Sequence, residues 1–221
     1  IPRWNWSRIW HQNDENRLKR VQEDTEWITA TPLENTRKEE TPYTIKYIQK
    51  IQHPRLNQAE RILEIWKNEP RVKYNISFNR TSSLLDEIFY VHFPLPETGK
   101  SPVISNGGHD FIPYEEQIPG TSMDYFSIDG WIHYPSESGN WLWSTKEAAM
   151  VTFDGHQFGA KRKTAPGNMN NLYAMIYNNV WEVNFTADCP GKMSFEFDLA
   201  WKKEIQKEEI PGLVKTYFLP P

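Results

Sequence analysis

Apolar residues follow two different spacings along this chain, and the change falls near residue 71. Between Asp14 and Ile28, the residues Leu18, Val21 and Ile28 recur at helical spacing, with Asn13 or Asp14 as a cap and Thr31-Pro32 as the stop. Residues 33–42 are charged and read as a loop. Ile45, Ile48 and Ile51 predict a second helix over Thr44–Gln52, ended by His53-Pro54 because proline disfavours helix in the residue before it. Asn57 with Glu60 three residues on forms a capping-box pattern ahead of Ala59, Ile62, Leu63 and Trp66, and Glu69-Pro70 closes that helix. From Arg71 onward the pattern alternates or forms short apolar runs: 72–78, 87–95, 103–105, 125–134, 141–143, 148–153, 172–177, 180–185 and 193–199. Asn106-Gly107-Gly108 and Asp129-Gly130 are turn signals, the second of hairpin type. Leu213–Leu219 predicts a last edge strand.

Short strands with turns between them imply a mainly β chain: an antiparallel β-sandwich, of supersandwich type, preceded by a short helical segment. The expected division is a helical segment over 1–73 and a sandwich over 74–221. The helical part is too small to bury a core of its own and is expected to pack on the β domain or on further sequence.

Composition sharpens this picture. The 221 residues include 10 Trp, 10 Tyr and 11 Phe. Aromatic rings bury large areas, so a core is available. Their flat faces also suit the C–H faces of pyranose rings. A net charge of −4 argues against nucleic-acid binding, which calls for a basic stripe. Lys161-Arg162-Lys163 reads as a solvated loop. The single Cys189 precedes Pro190-Gly191 in a turn and can form no intrachain disulfide. No apolar run approaches the ~20 residues that span a bilayer, so no membrane partner is expected. The chain opens Ile1-Pro2-Arg3-Trp4 with neither Met nor an apolar leader region, as expected of a processed chain or a piece of a longer one. N-x-[ST] triplets at Asn5, Asn75, Asn79 and Asn184 are explained by chance.

Glycosidic hydrolysis needs two carboxyl groups flanking the bond, roughly 5 Å apart in retaining enzymes. Asp110, Glu115, Glu116, Asp124, Asp129, Glu137 and Glu147 are the carboxylates to weigh. Glu115 and Glu116 are neighbours and would point to opposite faces of a strand. Most read as solvated carboxylates. Asp124, set among apolar residues after Pro119-Gly120, reads as a buried, hydrogen-bonded anchor. Of the histidines at 11, 53, 92, 109, 133 and 156, only His109-Asp110 after two glycines hints at a metal, and no second ligand follows at i+2 or i+4. His133 lies between Ile132 and Tyr134 on a strand and could face a pocket. Phosphate-binding glycine loops and G-x-S-x-G are absent.

The most informative stretch is Asn178-Asn179-Val180-Trp181-Glu182-Val183-Asn184-Phe185, followed by Pro190-Gly191 and the alternating Phe195–Leu199. Asparagine amides and an indole in an apolar strand demand partners. Such a cluster either ties strands or lines a polar pocket. Upstream, Gln117–Ile128 reads Q-x-P-G-T-x-x-D-Y-F-S-I, and Trp143–Phe153 lies between the two. In order and spacing these segments, over about residues 74–205, resemble the β-rich region that follows the catalytic domain in glycoside hydrolase family 38, the α-mannosidase-like enzymes. The resemblance implies a metal-dependent retaining enzyme whose nucleophile and zinc ligands lie in a catalytic domain that this chain does not contain. The family's H-x-D zinc motif is absent here. No catalytic or metal-ligating residue is therefore expected in this chain, and zinc would belong to the full-length enzyme. The implied partners are a glycan and the catalytic domain of the same polypeptide. The second reading is a stand-alone carbohydrate-binding β module, with Trp131, Tyr134, Trp141 and Trp143 as a stacking platform; His133, Asn178, Asn179, Trp181 and Asn184 are the further substrate-binding candidates. The third is a structural domain without a ligand.

Overall fold

A computed structural model describes residues 25–157, 159–180 and 188–218. The described chain is mainly β with antiparallel sheets, consistent with the sandwich class. It divides into two compact units, each assembled from separate stretches of sequence.

The first unit comprises Ile28–Ser83, Gly130–Glu147 and Asp188–Pro221. Its strands are β1 (Thr31–Pro32), β2 (Arg37–Glu40), β3 (Thr44–His53), β4 (Leu56–Trp66) and β5 (Arg71–Arg80). Numbered in chain order across both units, β10 (Trp131–Pro135), β11 (Asn140–Thr145) and β14 (Gly191–Lys202) complete its sheet. The strand order is β1-β3-β4-β5-β14-β11-β10, with β2 also on β3. β14 sits between β5 and β11 although it comes last in sequence. A 3-10 turn (Lys207–Glu209) leads into helix α1 (Ile210–Phe218). Trp131, Leu142 and Ala200 on one sheet face pack with Ile210 and Tyr217 of α1. On the opposite face, by strand alternation, lie Tyr134, Trp143 and Phe197, all buried.

The second unit comprises the described residues of Ile1–Trp27, Leu84–Asp129 and Ala148–Ala187. Its strands are β6 (Ile88–Pro94), β7 (Val103–Asn106), β8 (His109–Phe111), β9 (Phe126–Ser127), β12 (Met150–Phe153) and β13 (Asn171–Asn178). Four of them form a sheet in the order β6-β13-β12-β9. Val91, Phe126, Val151, Phe153, Leu172 and Ala174 are buried. β7 and β8 form a hairpin through Gly107-Gly108, whose φ angles of 61° and 80° suit the primed turn that Asn-Gly-Gly predicts.

Several expectations are corrected. Residues 44–52 and 57–69 are not helices; they hold β3 and β4, paired from Thr44↔Trp66 to His53↔Leu56. The expected boundary at residue 73 accordingly falls inside β5. The cause is that both faces of these strands carry apolar residues. Ile48 lies on one face and Ile45 and Ile51 on the other, which at spacing three mimics a helical stripe. Pro54-Arg55 is the hairpin turn, and the supposed capping box is a bulge at which Gln58 has φ 49°. The charged stretch 33–42 holds the exposed β2. Leu213–Leu219 is not an edge strand, because Ile210, Leu213, Val214, Tyr217 and Phe218 recur at helical spacing after Pro211 in the first turn. Asp129-Gly130 is not a hairpin turn either. β9 pairs with β12 and β10 with β11, so the two strands flanking it belong to different partners. The helix expected over 14–27 lies almost wholly outside the described residues.

Candidate functional site

Asp124 is a buried anchor, as its apolar flanks imply. Its carboxylate accepts the backbone N–H groups of Lys161 (2.8 Å) and Arg162 (2.6 Å), and the Thr152 hydroxyl donates to its carbonyl at 2.8 Å. Burial pushes the carboxyl above the ordinary range, and the N–H groups of Arg162 and Lys161 oppose that shift. Asn179 ties the end of β13 to the segment before β6. Its Oδ1 accepts the Glu87 N–H at 2.6 Å and its Nδ2 donates to the Leu85 carbonyl at 2.8 Å. Asn178 Oδ1 accepts the Val180 N–H at 2.8 Å in a local turn. Trp181 and Asn184 lie outside the described residues.

Of the stacking candidates, Trp131, Tyr134 and Trp143 are buried and present no ring face to solvent, while Trp141 is half-buried. Strand alternation also separates them: Trp131 and His133 share one face, and Tyr134, Trp141 and Trp143 the other. His133 Nε2 lies 2.9 Å from Asn140 Oδ1, and Asn140 Nδ2 donates to the Lys203 carbonyl at 3.1 Å. Burial lowers the His133 pKa, against the effect of Asn140. Trp201, the β14 partner of Trp141, is met by Gly139 in the β10–β11 turn. A Cβ at Gly139 would fall 2.6 Å from Trp201 Nε1, and φ is 148°, so glycine is required there.

Four of the other candidate carboxylates accept structural hydrogen bonds. Glu115 accepts from the Ser101 hydroxyl, Glu116 from the Ile112 N–H, Asp129 from the Gly108 N–H and Glu147 from the Glu196 N–H. Among the described residues no three His, Cys, Asp or Glu side chains converge as a metal site would require. His109-Asp110 is the β8 strand start, and His11 lies outside the described residues.

Two groupings escape sequence reasoning. In the unit of the larger sheet, a cleft of ≈ 410 Å³ is lined by Glu69, Arg71, Trp201, Lys202, Lys203 and Tyr217, among others. Arg71 is fully engaged in structure. Its guanidinium donates to both Asp198 oxygens at 2.7 and 2.8 Å and to the Tyr217 carbonyl at 3.0 Å. It also lies 4.2 and 4.4 Å from the ring centroids of Trp66 and Tyr217.

In the other unit, Trp27, Tyr90, His92, Tyr173 and His156 gather on the sheet face that also carries Asn171. His92 stacks on Tyr173 (centroids 4.3 Å, 13°) and its Nε2 lies 3.2 Å from Asn171 Oδ1. Tyr90 meets Tyr173 edge-on at 6.0 Å, and its hydroxyl lies 3.0 Å from His156 Nδ1. Trp27 lies against both tyrosines, at 6.2 and 6.0 Å, yet is 55% exposed. Burial pulls the His156 pKa down to about 4, leaving a neutral imidazole at neutral pH. No single motif announces this cluster, because its members come from four distant stretches of chain.

The fold recurs in solved structures, among them the following two. One is an α-mannosidase from Enterococcus faecalis V583, with a TM-score of 0.60 and 8% identity over 88% of this chain and 24% of that chain. The other is a glycosyl hydrolase family 38 protein from Enterococcus faecalis, with a TM-score of 0.58 and 8% identity over 88% of this chain and 25% of that one. The likeness is one of fold. This chain spans about a quarter of the length of either of these proteins. No family model and no curated protein sequence matches it. Within this α-mannosidase-like fold, the motif residues Asp124 and Asn179 hold loops in place, while Trp27 and His92 of the aromatic cluster are exposed.

Proposed function

We propose that this chain is the accessory β-rich portion of a glycoside hydrolase family 38-like enzyme acting on α-mannoside-type glycans, and that it is not catalytic by itself. One observation carries the reading. A fold covering 88% of the chain recurs inside an α-mannosidase about four times as long. The sequence motifs that resemble the family lie in the chain that has this fold. In this reading the nucleophile and zinc belong to the catalytic domain of the same polypeptide, and the motif asparagines and Asp124 keep the accessory framework rigid. The experiment is to determine the mass of the natural gene product and assay it on an aryl α-mannoside, beside the 221-residue chain alone. A polypeptide several times longer with mannosidase activity, and none from the chain alone, is the expected result. A natural product no longer than this chain, without associated glycosidase activity, overturns it.

A stand-alone carbohydrate-binding module is the second reading. The half-exposed Trp27 beside two tyrosines favours it, since exposed aromatic clusters mark interaction sites.

A further inference from the structure

The cluster on β6 and β13 differs from a core cluster in three respects. Trp27 keeps more than half of its surface in water despite two tyrosine neighbours. The Tyr173 hydroxyl makes no hydrogen bond to any described residue, whereas the Tyr90 hydroxyl is committed to His156. Asp154, which follows β12 and donates its backbone N–H to the Asn171 carbonyl, is exposed and has no ion-pair or hydrogen-bond partner for its carboxylate among the described residues. Its φ is 58°, a left-handed conformation that only Gly, Asn and Asp adopt readily. Its backbone bond sets Asp154 opposite Asn171, two residues along β13 from Tyr173.

The rings are also held from behind. Asn171 fixes His92, His92 stacks on Tyr173, and His156 fixes Tyr90. A wall of this kind is preorganised, since its side chains lose little freedom when a ligand arrives. Among Trp27, Tyr90, Tyr173, His156 and Asp154, the single formal charge at neutral pH is the Asp154 carboxylate. That sign disfavours uronates and phosphorylated sugars.

We propose that Trp27, Tyr173 and Asp154 form a subsite for a neutral hexopyranose, the indole under its C–H face and the carboxylate accepting from two adjacent hydroxyls. The assignment rests on the reading that this chain works on glycans, and it names the class of sugar and the surface. Tyr173 adds a phenol that can donate to or accept from a third hydroxyl. His92 and Asn171 are positioning residues.

The test is calorimetric or NMR titration of the 221-residue chain with methyl α-mannopyranoside and an α-linked mannobiose, and with glucuronate as the anionic control. Trp27→Ala and Asp154→Asn are each expected to weaken mannoside binding about tenfold or more. Asn tolerates the same backbone conformation, so Asp154→Asn should keep the parent's circular dichroism and unfolding midpoint. Binding by the parent that is lost in both folded variants supports the subsite. Affinities within about twofold of the parent in both variants overturn it, as does equal binding of glucuronate or the absence of any mannoside binding by the parent. The outcome is separable from that of the enzyme reading. A long active polypeptide whose β portion binds no sugar refutes the subsite alone, while a chain that binds mannoside but belongs to no glycosidase refutes the enzyme reading alone.

Discussion

His156 shows how one side chain sets a property of the folded state. Its imidazole is buried and held near Tyr90, and its pKa falls to about 4 from an ordinary value near 6.5. Above pH 6.5 it is neutral in both folded and unfolded chains, and its contribution to stability is complete. As pH falls from 6.5 towards 4, the unfolded chain takes up the proton first, and stability is lost. Over that window the loss attributable to His156 should reach about 3 kcal/mol. Urea unfolding at several pH values, compared between the parent and His156→Gln, measures it as a difference in slope. Asp124 was legible at this scale, since a lone carboxylate between Met123 and Tyr125 demands buried donors, and Lys161 and Arg162 supply them. The cluster around Trp27 was not legible, because Tyr90, Asp154 and Tyr173 are brought together by pairing of β6, β12 and β13, Trp27 comes from a further stretch, and they share no local spacing.

Among the elements, α1 depends on β5 and β14 for its place. Arg71 of β5 bridges Asp198 of β14 and the carbonyl of Tyr217 in α1, and Lys73 reaches that same carbonyl at 3.3 Å. Asp198 is buried, so removing Arg71 leaves its carboxylate without its bidentate partner. Arg71→Ala should cost about 3–5 kcal/mol and speed hydrogen exchange in Ile210–Phe218. Arg71→Lys should recover little, since an ammonium supplies neither the two-pronged donor nor the flat face between Trp66 and Tyr217. Equilibrium denaturation with exchange mass spectrometry measures both effects. Elements from Arg71 onward were mostly readable because one face of each strand is apolar and the period is two. β3 and β4 were misread because the isoleucines serve both faces, and α1 because seven residues of apolar pattern fit a short strand as well as two helical turns.

For the molecule as a whole, order in space departs from order in sequence. β14 is the last strand, yet it joins the sheet of Ile28–Ser83 to the hairpin of β10 and β11. A chain truncated after residue 187 therefore leaves β5 and β11 without the strand they share. It should lose the cooperative transition of the larger sheet and show a smaller dependence of stability on urea than the full chain, because less surface is buried. Circular dichroism through a urea titration distinguishes the two. Such interleaving was invisible to a reading that divided the chain once, at residue 73.

The contact between Gly139 and Trp201 has a spectroscopic consequence. A missing Cβ that would fall 2.6 Å from Nε1 means that an α-proton of Gly139 points at the indole ring system. Aromatic ring currents shift nuclei held against a ring, so that proton should resonate away from the position of an ordinary glycine. One resolved signal would then report whether the β10–β11 turn is seated on β14, without a label and without perturbing either residue.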